Sequence, residues 1–226
     1  MADNEKTIWT YLKNAGFNDY AVAGIMGNLY AESGLSAKNL QNLFNTRLNM
    51  TDDQYVSAVD NGSYKNFIKD SAGFGLAQWT FWSRKQGLYN LCKSKHKSIG
   101  DLDTQLEYLV KELKTYKALY QKLMTVTSVK AASDAILVDF EKPADQSDVM
   151  KAKRATYGQQ YFNKYHKVEP ASATNIDSTP NSWAADSVNW AIQNKILLGD
   201  ENGNLMLHKY ITREEALVYL YRAIKR

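Results

Sequence analysis

One stretch, VEPASATNIDSTPNS at residues 168–182, sets what the chain can fold into. It holds two of the three prolines and few large apolar residues. Neither a helix nor a buried strand runs comfortably through such a segment. We read Lys167–Ser182 as a linker. It separates a unit of residues 1–166, long enough for one good core, from a unit of residues 183–226. A piece as short as the second buries little apolar surface by itself.

Residues 1–166 alternate helical apolar patterns with polar loops. The spacing predicts helices near 5–15, 20–33, 82–95, 102–115, 128–141 and 149–165. Between Gly34 and Gly75 the periodicity weakens. The runs NMTDDQYVSAVDNGSY and KDSAGFGLAQW predict turns, short helices and a short hairpin there.

The remaining whole-chain features mostly exclude. No stretch approaches the ~20 apolar residues of a membrane span. The first residues, MADNEKTIW, lack the basic-then-apolar pattern of a secretory leader. A single cysteine, Cys92, allows no internal disulfide and fits synthesis in a reducing cytosol. The formal charge of +4 is spread along the chain, which tolerates an anionic partner surface but draws no nucleic-acid stripe. His96, His166 and His208 are scattered, so no metal site is expected and no cofactor is implied. Cys92 and His96 share a helical spacing, but two ligands do not make a site. Cys92 sits inside an apolar pattern, not at an activating helix start. GDENGNL lacks the glycine and the final glutamate of a calcium loop, and reads as a turn.

Chemistry begins at GIMGNLYAESGL, residues 24–35. Val22, Ile25 and Leu29 form one apolar stripe, and the next position on it is Glu32. Gly34 then supplies a helix stop. A carboxylate there is desolvated and sits at the negative helix end. Both effects favour the protonated acid, the form that protonates a glycosidic oxygen. The plainer alternative is a solvated carboxylate just past the last turn. In DSAGFGLAQW, residues 70–79, Gly73 and Gly75 permit close backbone approach. Gln78 and Trp79 offer an amide and a flat ring suited to an N-acetyl sugar, or else a core tryptophan beside a turn.

Together, the ES pair at a helix end and the later GFGLxQ resemble goose-type lysozymes and soluble lytic transglycosylases. The fuller run GIMGNLYAESGL…DNGSY…DSAGFGLAQWT is similar to the lysozyme domains of phage tail-tip proteins and endolysins, over roughly residues 5–165. The resemblance implies an α+β, mostly α, lysozyme-like fold with a small β element, acting on peptidoglycan. It makes Glu32 the catalytic acid and places the stretch from Gly75 to Trp79 along the cleft. For the group that steers water it offers Asp70, three residues before Gly73, then Thr80, where goose-type enzymes carry an aspartate, then Asp60. Each of these aspartates also suits a cap or turn. Without a second carboxylate the muramic acid's own hydroxyl attacks, which is lytic transglycosylation. Glu141, in FEKP, would reach the cleft as a substrate contact, or bond to backbone or to Arg84 or Arg154.

The last unit resembles a single S-layer homology repeat, through Trp183, Ala184, WAI at 190–192, GD at 199–200 and ITREE at 211–215. Thr212 and Glu215 are spaced as a capping box. The resemblance implies wall-polymer contact through Thr212 and Arg213. Such repeats usually come in threes, so a lone copy is expected to form a homo-oligomer or to dock on its own catalytic unit. The combined reading is an endolysin against a Gram-positive wall. It binds peptidoglycan and anionic wall polymer, with no nucleic-acid or membrane partner. It would remain in the host cytoplasm until a holin releases it. A lytic transglycosylase and a non-catalytic tail or wall-binding protein are the rivals.

Overall fold

A computed structural model describes residues 2–166, 180–200, 205–207, 209 and 211–225. Most of the expected linker, residues 167–179, lies outside them. The chain divides into two compact units, Met1–Lys167 and Val168–Arg226.

The first unit is helical: α1 (Ala2–Asn14), α2 (Asp19–Ser33), α3 (Asn42–Leu48), α4 (Asp52–Asp60), α5 (Trp82–Ser94), α6 (Leu102–Thr115), α7 (Lys117–Thr125), α8 (Val129–Ala135) and α9 (Asp148–Tyr165). A π-helical segment, Ile136–Glu141, continues α8. The six expected helices are present. The weak region folds as α3 and α4, and α7 had not been expected as a helix of its own. Among the described residues no helix is long and apolar enough to cross a membrane.

The centre of the unit is α2. Asn18 caps it, its Oδ1 accepting from Ala21 N at 2.9 Å. Gly34 ends it in the left-handed region, φ 60°, with its N–H on Tyr30 O. Every residue from Ala21 to Leu29 is buried. The helix is therefore wrapped on all sides rather than along one stripe, chiefly by α8 and α9. Small residues make that closeness possible. A Cβ on Gly24 would lie 2.5 Å from Ala132 Cβ, and one on Gly27 would lie 2.5 Å from both Arg154 O and Gly158 N. Gly27→Ala should force α2 and α9 apart and lower stability by about 1–3 kcal/mol, the usual cost of overpacking. Thermal unfolding measures it, and an unchanged midpoint would show that the helices can slide.

The expected small β element is reduced among the described residues to two antiparallel bridges, Leu40 with Phe74 and Phe74 with Trp79. The reason is local. The 71–79 loop is pinned by side chains instead of a ladder. Buried Gln105 accepts from Leu76 N at 2.9 Å and donates to Ala37 O and Ile99 O. Gly75 has φ 73°, and a Cβ there would meet Gln105 Oε1 at 2.5 Å. Gly75 is thus required by the loop itself.

The second unit holds a 3₁₀ turn (Ser182–Ala184), α10 (Ala185–Gln193) and α11 (Arg213–Ile224). The capping box is formed: Thr212 Oγ1 accepts from Glu215 N at 3.1 Å, and Glu215 Oε2 accepts from Thr212 N at 2.7 Å. Ile196 is the one buried apolar side chain among its described residues, while Trp183 is 86% exposed. Trp190, Leu217, Leu220, Tyr221 and Ile224 are also exposed.

Candidate functional site

The last turn of α2, the α3 helix, the 71–81 loop, α5 and the π segment meet around a cleft of about 620 Å³. Its walls include Glu32, Phe44, Arg47, Gln78, Thr80, Phe81, Arg84 and Glu141. A second depression, near Asn45 to Gln54, holds none of the expected site residues. Its carboxylate Asp52 is occupied with Leu40 N and Asn45 Nδ2.

Glu32 enters the cleft from the end of α2. Its side chain is 20% exposed, and its Oε1 lies 2.6 Å from Arg154 on α9. The expected picture, an isolated and desolvated acid, is therefore corrected: the helix end stops short of the core, and a buried arginine meets the carboxylate. Arg154 is itself positioned by Asn28, which accepts from its Nη1 at 3.2 Å. Asn28 is held in turn by Ser133 O and Gly24 O.

Glu141 closes the π segment. Lys142 follows at φ 50°, its N–H on Leu137 O. Neither of the arginines considered as partners bonds Glu141. Arg84 is taken by Glu112, through Nε at 2.6 Å and Nη2 at 2.9 Å, and it lies over the Phe140 ring. Arg154 is taken by Glu32. Oε1 of Glu141 is buried without a hydrogen-bond partner. Burial first, and the nearby Glu32 charge second, push the Glu141 carboxyl up to about 8.

The other expected residues divide. Gln78 and Thr80 line the cleft. Gln78 has φ 44°, and its amide nitrogen is held by Asn39 O at 3.1 Å, Asn39 Oδ1 at 2.9 Å and Gly75 O at 3.2 Å. Thr80 is exposed and donates to Gln78 O at 2.9 Å, which leaves its oxygen free to accept.

Asp70 does not reach the cleft. Its Oδ1 sits 2.5 Å from Nζ of fully buried Lys85, and its Oδ2 accepts from Tyr55 at 2.6 Å and Tyr64 at 3.1 Å. Asp60 likewise holds a loop, accepting from Ser98 Oγ at 2.5 Å and Ile99 N at 3.0 Å. Trp79 is wholly buried, with Nε1 donating to Glu112 at 2.9 Å, so it offers no face to a sugar. Cys92 is buried, and burial pushes its thiol up to about 12, far from a nucleophile.

Two groups were missed in the sequence. Phe81, 61% exposed at the cleft, presents the aromatic face that Trp79 does not. Arg47 reaches the cleft from α3, its guanidinium over the Phe44 ring at 5.3 Å. The pair FW at 81–82, two large aromatics at a helix start, was the available signal for the first. Arg47 lies in a stretch of weak periodicity and gave none.

Two family models match the chain: the phage tail lysozyme over residues 3–165, and the S-layer homology domain over residues 176–217.

Proposed function

The chain belongs to the phage tail lysozyme family and carries an S-layer homology domain at its C-terminus; from that premise we propose that it is an endolysin whose first unit hydrolyses the β-1,4 bond after N-acetylmuramic acid. The observation that carries the reading is the cleft itself, where two glutamates from separate elements face one space beside two paired arginines. Carboxyls whose environments differ are the usual means of cleaving a glycosidic bond.

In this reading Glu32 protonates the leaving oxygen. Thr80 accepts a hydrogen bond from a water and turns its lone pair toward the anomeric carbon. Phe81 and Phe44 offer apolar faces to the sugars, and Gln78 fixes the loop they lie against. Asp70 takes no part, because its carboxylate is held by Lys85 and two phenols. With no free aspartate beside Thr80, a lytic transglycosylase remains the second reading. Peptidoglycan digested with the pure protein and analysed by mass spectrometry decides between them. Reducing muramic acid ends support the hydrolase, anhydro ends support the transglycosylase, and absence of new glycan ends would sink both.

The second unit is proposed to hold the enzyme on the wall through Thr212 and Arg213. Its exposed tryptophans and α11 apolar residues form a face suited to self-association. Release into the wall would follow a cytoplasmic phase and a holin. A chain ending at Lys167 is expected to cleave soluble glycan as before while sedimenting with walls at least tenfold less. It should also scatter light as a smaller particle. Equal wall binding by the shortened chain would remove the anchor from the proposal.

A further inference from the structure

The mechanism above uses Glu32 and leaves Glu141 aside, although Glu141 carries the least satisfied polar atom of the cleft. Three carboxyls and two guanidinium groups act on one another there. Two ion pairs are closed, Arg84 with Glu112 and Arg154 with Glu32. Glu141 is the carboxyl left over, and its Oε1 is buried with nothing to accept from. Ionising all three would leave one uncompensated negative charge against Glu32 in a poorly solvated place. A neutral carboxyl, with its proton, fits that position.

Resting on the reading of Glu32 as acid, we propose that Glu141 is the resting seat of the proton that Glu32 delivers to the glycosidic oxygen. Glu141 is a positioning residue in this scheme and does not touch the sugar. Its O–H proton moves to the Glu32 carboxylate when substrate displaces water from the cleft. Glu32 passes that proton to the leaving oxygen as the C–O bond breaks and its electron pair stays with the oxygen. The attacking water forms the new C–O bond and releases one proton, which returns to the pair. Water is divided between the two products, and the pair ends as it began.

The charged groups acting on Glu141 are Glu32 from α2, Arg84 from α5, Glu112 from α6 and Arg154 from α9. The two arginines pull its carboxyl down, while burial and the two glutamates outweigh them. On α8, which also packs against the π segment, Lys130 and Asp134 pair with each other. Lys142, the next residue, lies over the Tyr116 ring before α7. With its carboxyl titrating at about 8, Glu141 keeps the proton through neutral pH and loses it above.

The test is the pH profile of kcat on a soluble glycan for the parent chain and for Glu141→Gln. With the amide, Glu32 must hold its own proton beside Arg154. The alkaline limb should then move down by at least one pH unit, with about tenfold less activity at the parent's limb midpoint. Glu141→Asp should return part of the shift. A limb that stays in place, or a loss equal at every pH, would overturn the proposal, since a merely structural glutamate predicts one of these. Folding is followed separately. A carboxyl raised from 4.5 to about 8 makes the parent lose stability as pH climbs through that window. The melting-point advantage of Glu141→Gln should therefore grow from pH 5 to pH 8, and a constant difference would count against the neutral carboxyl. Failure of the Glu32 reading is seen elsewhere, as activity retained in Glu32→Gln.

Discussion

Glu32→Gln is expected to lower wall lysis by about 10²–10⁴-fold or more, the usual cost of losing a general acid. The amide keeps the shape of the side chain and still accepts from Arg154, but it carries no proton to deliver. Stability should fall as well, because Arg154 is buried and loses its counter-charge. Glu32 is one-fifth exposed, so the loss should be roughly 1–2 kcal/mol, below that of a sealed ion pair. Turbidity clearing measures the first effect and thermal unfolding the second. A variant that clears walls at more than a tenth of the parent rate would remove Glu32 from the chemistry.

Asp70→Ala should act in the opposite proportion. It strands Lys85, whose side chain is fully buried and has Asp70 as its ion-pair partner. Breaking such a pair from one side costs about 3–5 kcal/mol. For a domain of this length that is a melting-point drop on the order of 10 °C. The remaining neighbours, Tyr55 and Ala72 O, cannot neutralise the ammonium. Below its own unfolding range the variant should keep kcat within about tenfold. A stable variant with a kcat loss of a hundredfold or more would return Asp70 to the reaction.

The contrast between these residues marks what the sequence could carry. Glu32 was legible because it interrupts an apolar stripe just before a helix-stopping glycine, and both facts are local. Asp70 looked catalytic for an equally local reason, its place ahead of the glycine-rich loop. What decides its role is Lys85, fifteen residues on and packed behind the loop, a contact between elements that no spacing rule reaches. Trp79 is the same case: its indole turns inward because Glu112, on α6, is there to accept its N–H. Helices α1, α2, α5, α6 and α9 were readable from periodicity over long segments. α3 and α7 are short, and packing rather than pattern holds them in place. The β element was overestimated because Gln105 does by side-chain bonds what a hairpin would have done by a ladder.

The π segment has a consequence for how this chain can vary. Ile136–Glu141 is a helical turn opened to admit one residue more than an α-helix would take, and Glu141 is its last member. Substitutions among Ile136, Leu137 and Phe140 alter packing but keep the count. Removing any one residue changes the count itself. The turn would close as ordinary α-helix, and each position after it would swing by roughly 100° about the axis. Glu141 would then point away from the cleft, and Pro143 would arrive one step early. Sequence length, more than sequence identity, is what this segment holds fixed.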